Sequence, residues 1–344
     1  MPDVSTTYKQ KIRYAISITT FVVLLILFIF KTIIPILLIF AGILIALFFT
    51  GLSDHLQAWT HWKKWLTKTI VLLVTILVVI GAFWLIGASL QQQYTEFQEV
   101  IPKTIANAKT HLEDSSIGQH ILESISSDDS KQKVEQFIGS FFKSSFGIIG
   151  NLYVVLFIAL FFTISPHAYL NTTLKIVPEV HQDKALSIAE KLKTQLRHWI
   201  TGKLCSMAIV AILTAIGLAI MGMKLWLVLA IIAGLLSFIP NFGPVLALIP
   251  AILVGLLDSP QTTILVIGLY LLVQLIESNM LTPLIQQQLI KFPPAVILIA
   301  QLFMGILIGG WGLLLATPIT VVGTVLMNEL YLQPRKKQQN KQHN

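Results

Sequence analysis

The chain has 344 residues, 55% of them hydrophobic and only 12% charged, with a mean hydropathy of +0.79. That composition excludes a soluble globular domain and implies a polytopic membrane protein. Its formal charge of +8 does not imply nucleic-acid binding, because the lysines and arginines sit in short loops and in the tail "RKKQQNKQHN" without interleaved aromatics; such loop charge serves membrane topology instead.

The single cysteine, Cys205, rules out an intrachain disulfide and a cysteine metal cluster. No cofactor and no metal centre is expected. His111 and His120, nine residues apart, share no helix face well.

Along the chain, residues 12 to 30 and 33 to 50 are the first two apolar runs, separated by Lys31 and Thr32, and read as a tight helical hairpin. A second span follows the first directly, unlike a signal peptide, so the N-terminus should be retained. Further spans are expected at 67 to 90, at 146 to 165 ending at Ser165 and Pro166, and at 204 to 222.

Charge orients these spans. Lys9, Lys11 and Arg13 precede the first, and Lys63, Lys64 and Lys68 fall in the 51 to 68 loop, so both regions read as cytoplasmic. Residues 91 to 145 carry five lysines and eight carboxylates, net −3, which suits the opposite side. The connection 166 to 203 returns to +3, and the tail beyond Arg335 is basic again. Both termini are therefore expected in the cytoplasm. Helical spacing of apolar residues in "YTEFQEVIPKTIANAKTHLED" and "SKQKVEQFIGSFFKSSFG" makes 91 to 145 an amphipathic, extracytoplasmic segment. The organisation is thus N-terminal membrane helices (1 to 90), that segment (91 to 145), a membrane core (146 to 331) and a basic tail (332 to 344).

Within the core, residues 226 to 257 are too long for one crossing and are broken at "IPNFGP". Pro240 and Pro244 each remove a backbone donor, and Gly243 between them permits a reversal. Two short arms meeting near mid-membrane suggest a re-entrant hairpin. Freed backbone groups at such a tip cannot face lipid and must meet protein or water.

Residues 295 to 327 repeat the design, with breakers at Gly309, Gly310 and Gly312 and a later proline, Pro318. Paired interrupted segments are the sequence mark of a transporter site. Between them, "LYLLVQLIESNMLTPLI" places Tyr270, Gln274, Glu277 and Ser278 on one helix face. Glu277 is the one acidic residue deep in an expected span, so it should be protonated, paired or wet, and is a functional candidate by default. Asn241 either tolerates the left-handed turn or touches a transported species. Gly243, Gly310, Gly312, Gln301 and Thr317 complete the candidate pathway, although the glycines also suit close helix packing.

The pieces "LRHWITGK", "FIPNFGP" followed by "IPA", "QLIESNMLTPLI" and "PPAVILIAQLFMGILIGGWGLLLATPIT" together resemble the autoinducer-2 exporter family of bacterial membrane proteins. The resemblance implies an all-α, homo-oligomeric inner-membrane transporter. It implies substrates ranging from autoinducer-2 to monovalent cations exchanged for protons. No phosphate-loop motif indicates ATP drive and no hydrolase motif indicates an enzyme. The leading expectation is a secondary exporter of a small polar solute. A cation/proton antiporter with Glu277 as carrier is the alternative within transport, and a non-transporting membrane scaffold is the alternative outside it.

Overall fold

The computed structural model describes residues 4–78, 80–81, 84, 151–223, 225–283 and 293–334. Among these residues all regular structure is helical, as a chain that must satisfy its backbone inside hydrocarbon requires. The protein is an all-α, multi-spanning membrane protein. Residues 91 to 145, with His111 and His120, and the tail from Arg335 onward lie outside the described residues.

Helix α1 runs unbroken from Val4 to Thr60, 57 residues. This corrects the expected hairpin at Lys31 and Thr32. Neither residue is a breaker, Thr32 donates its hydroxyl back to the Phe28 carbonyl at 2.8 Å, and Pro35 is accommodated within the helix. The part of α1 long and apolar enough to span is Lys31–Thr60. Packing begins at Leu37, Leu38, Ala41 and Leu44, whereas Tyr14, Phe21, Leu24 and Phe28 are exposed.

Helix α2 (residues 64 to 78) returns along α1, and a buried bond of 3.0 Å between the hydroxyls of Ser53 and Thr67 fixes the corner. Helix α3 (Asn151–Ile164) ends at Ser165, where the chain bends by 87° into the short α4 (Pro166–Leu174). The break falls where the sequence placed it, because a proline favours the first turn of a new helix.

Helix α5 (Glu179–Ile220, 42 residues) is the spine of the core. Residues 179 to 203, read from sequence as mostly connection, belong to this helix. Leu196, Trp199, Ile200 and Lys203 are buried. Their spacing of three and four makes one face, so the apolar stripe starts well before residue 204.

Helices α6 (Trp226–Leu236) and α7 (Phe242–Asp258) form the first broken segment. Leu229 and Ala233 of the first arm share a buried cluster with Ala247, Ala251 and Val254 of the second, against Val210 and Leu218 of α5. Helix α8 (Pro260–Ile276) supplies Val266, Tyr270 and Val273 to the same cluster. It starts at Ser259, whose hydroxyl caps the Thr262 amide at 3.1 Å. It continues into a π-helical turn, Glu277–Leu281.

The second broken segment is α9 (Pro294–Ile308) followed by α10 (Gly310–Met327). Its break lies at Gly309, with φ 77° and ψ −148°, a region open in practice only to glycine. Pro318, expected as a hairpin breaker, instead lies fully buried inside the continuous α10. Long exposed apolar rows on α8 and α9, such as Ile264, Leu271, Leu275, Leu302 and Ile306, suit contact with hydrocarbon.

Candidate functional site

Three residues of "LRHWITGK" tie α5 to three different elements. Arg197 Nη1 donates to Asp54 at 3.0 Å and Nη2 to the Gly51 carbonyl at 3.0 Å, which fastens the end of α1. Trp199 packs edge-on against Phe238 of the first broken segment, ring centroids 5.8 Å apart. Lys203 reaches α8, where its Nζ donates to Glu277 Oε1 at 3.1 Å.

The Lys203–Glu277 pair is the electrostatic centre of the core. Both side chains are more than nine-tenths buried, and Ser206 Oγ donates to the same carboxylate oxygen at 3.2 Å. Of the three states expected for Glu277, protonated, paired or wet, the structure has the paired one. The carboxylate and the ammonium depend on each other, since removing either ion would strand the other in the core. Sequence reasoning missed Lys203 by counting it with loop charge; its position seven residues after Leu196 and four after Trp199 was the available signal.

Glu277 opens the π-helical turn, in which the Thr282 amide reaches back to the Glu277 carbonyl. Such turns concentrate at functional sites. Beside it is a small cavity of about 10 Å³, bordered by Tyr270, Gln274 and Glu277 of α8, Thr214 of α5, and Pro244 and Ala247 of α7. Tyr270, Gln274 and Glu277, read from sequence as one face, all border this cavity. Ser278 is exposed but bonded to that face, accepting from Gln274 Nε2 at 3.0 Å.

The tip of the first broken segment meets protein. Asn241 has φ 68°, the left-handed turn expected of asparagine, and its Nδ2 donates to Gln301 Oε1 at 3.2 Å. Gln301, fully buried on α9, donates in turn to the Pro240 carbonyl at 3.1 Å. Gln301 thus adds a second donor to the Pro240 carbonyl, which also accepts from the Phe242 amide at 2.8 Å, and joins the two broken segments. Gly243 serves the turn: a Cβ there would lie 2.0 Å from the Leu236 carbonyl oxygen. Gly312 serves packing, with Met304 O at 2.2 Å from a built Cβ, whereas Gly310 faces open space. Thr317 is buried with its hydroxyl unpartnered among the described residues.

A larger surface cleft of about 530 Å³ lies where Glu190, Lys191 and Gln195 of α5 face Asn328, Glu329 and Gln333. Its Lys191–Glu329 bridge of 2.8 Å is partly solvated, an ordinary link between helix ends. The buried Glu277 with its π-helical turn and the first broken segment, through Ala233, Pro244 and Ala247, meet at the smaller site.

Comparison with known proteins agrees with this architecture. The model of the AI-2E family transporters matches residues 15–332. The chain belongs to that family. It is 27% identical over 280 residues to the putative transport protein YueF of Bacillus subtilis, covering 76% of each chain. It is 26% identical over 310 residues to YrrI of the same organism, a putative transport protein, covering 84% of this chain and 86% of the relative. The AI-2 transport protein TqsA of Escherichia coli is 26% identical over 147 residues, 42% of this chain and 43% of TqsA. Membership in this family of transporters agrees with a membrane transport role.

Proposed function

We propose that the chain is a secondary transporter that exports a small polar solute across the bacterial inner membrane by alternating access, with its site on the Glu277 face between the two broken segments. The observation that carries this reading is the buried Lys203–Glu277 pair with Ser206, a charge cluster with no structural necessity in an apolar core. Intramembrane ions of this kind mark transport pathways. Asn241, Gly243, Tyr270, Gln274, Gly310, Gly312 and Thr317 would contribute to the pathway or its hinges. An autoinducer-2-like solute is the leading candidate because one relative is named an AI-2 transport protein. The transporter would act as a homo-oligomer in lipid, with its basic tail cytoplasmic and without nucleic acid, cofactor or catalysis; the unbroken α1 removes the hairpin that placed the N-terminus on that same side.

A second reading, monovalent cation/proton antiport, is favoured by one feature: Glu277 already holds a cationic group, the Lys203 ammonium, which an incoming cation or proton could replace. Flux into proteoliposomes under imposed proton and sodium gradients separates the two. Export predicts movement of the polar solute that Glu277→Gln abolishes; antiport predicts sodium-dependent proton flux lost in the same variant. Neither flux from the parent protein would leave the scaffold reading.

A further inference from the structure

Tyr270 is buried, yet its hydroxyl has no hydrogen-bond partner among the described residues, and Gln274 Oε1 is in the same position. A buried polar atom left unpaired is destabilising, because it gives up its bonds to water without replacement. Two such atoms one helical turn apart, with a buried carboxylate on the same face, need a common explanation. All three residues border the cavity beside Glu277.

Its volume of about 10 Å³ is close to what one water-sized sphere occupies. The polar set is also of the right kind, since Tyr270 offers a donor while Gln274 Oε1 and the Glu277 carboxylate offer acceptors. The Gln274 amide is oriented by its own bond to Ser278, which takes up Nε2 and leaves Oε1 for the cavity. The remaining walls are the apolar Val210, Ala233, Pro244, Ala247 and Val273 and the buried Thr214, and the small volume confines the occupant to a single molecule.

We propose that this cavity is a binding site for one water molecule, which accepts a hydrogen bond from Tyr270 and donates to Gln274 and Glu277. Charge selects a neutral occupant. Glu277 is already balanced by Lys203, so an alkali cation would add an uncompensated charge between apolar walls, which is strongly unfavourable. The water hydrates the carboxylate, of which Lys203 and Ser206 both take Oε1. It thereby lowers the cost of separating the two ions, which is dominated by desolvation. The proposal stands on this geometry whether or not a solute passes through the site.

Radiolytic hydroxyl labelling read by mass spectrometry tests it, because bound water delivers the label to its neighbours inside a membrane protein. The purified full-length chain is labelled in choline chloride beside Gln274→Leu, which removes one partner, and Ala247→Val, which fills the cavity without touching a polar group. Tyr270 oxidation should fall severalfold in each folded variant, while the exposed Tyr14 keeps its rate. Unchanged Tyr270 labelling in either folded variant would overturn the site. Replacing choline by sodium should leave the parent's Tyr270 labelling unaltered; specific suppression by sodium would show a cation as occupant and overturn the neutral ligand.

Discussion

Glu277 cannot be understood apart from Lys203. Both are buried, and the carboxylate takes its two donors on one oxygen. Replacing one partner strands a charge, whereas replacing both removes the problem. Lys203→Met alone should therefore destabilise the protein by about 3 to 5 kcal/mol, and Lys203→Met with Glu277→Met should recover most of that loss. Thermal inactivation in detergent measures it as a double-variant cycle, and independent, additive effects would mean that the pair is not coupled. The same reasoning alters what Glu277→Gln does. It leaves the Lys203 ammonium against a neutral amide, so reduced stability in that variant belongs to the pair and has to be separated from lost flux by the double variant. Gln301 is a neutral counterpart, since it is fully buried and bonded at both ends of its amide to the tip. Gln301→Leu removes the partner of Asn241 Nδ2, while the Pro240 carbonyl keeps the Phe242 amide at 2.8 Å, and should be destabilising by about 1 to 3 kcal/mol, on the scale of one unsatisfied group. Asn241→Gly, which tolerates the positive φ, leaves the buried Gln301 Oε1 without that donor and should lose a similar amount.

Among the helices, the two broken segments turn by different means. The first reverses through Asn241 and a close approach at Gly243, where any side chain meets the Leu236 carbonyl. The second turns at Gly309 through its backbone angles, and Gly310 beside it is open. Gly243→Ala should consequently abolish the folded, monodisperse protein on size exclusion, while Gly310→Ala should behave like the parent; equal behaviour would show that the tip can open to admit a methyl group. The breaks were legible in the sequence because proline and glycine act locally on the backbone. So was the Tyr270, Gln274, Glu277 face, which follows from helical period alone. Other features were not. Lys31 and Thr32 looked like a loop by polarity, but polarity without a breaker does not end a helix, and α1 passes through. Lys203 looked like loop charge because its partner is 74 residues away. The bonds from Gln301 to the tip span 60 and 61 residues. Long-range pairings of this kind leave no local pattern to read.

At the scale of the molecule, the open question is which way the first broken segment enters the membrane. α6 has 11 residues and α7 has 17, about 17 and 26 Å long at 1.5 Å per residue. The hydrocarbon core is about 30 Å thick, so neither arm crosses it alone. Laid end to end they could cross, but the packing is against that arrangement. Leu229 near the start of the first arm and Val254 near the end of the second belong to one buried cluster with Ala233, Ala247 and Ala251, as expected if the arms run back along each other. The tip is held by Gln301 of the other broken segment, which gives its freed backbone a protein partner within the membrane. Lys224 and Asp258, which bracket the segment, should then lie on the same side. With Cys205, the chain's single and exposed cysteine, replaced by serine, Lys224→Cys and Asp258→Cys should both react with a membrane-impermeant maleimide added to intact cells, because the basic connection before α5 is expected in the cytoplasm. Reaction of one site in intact cells and of the other only after permeabilisation would make the segment a crossing, whichever side the connection before α5 occupies. It would also reverse the side on which α8 begins, and with it the side from which the Glu277 site is reached.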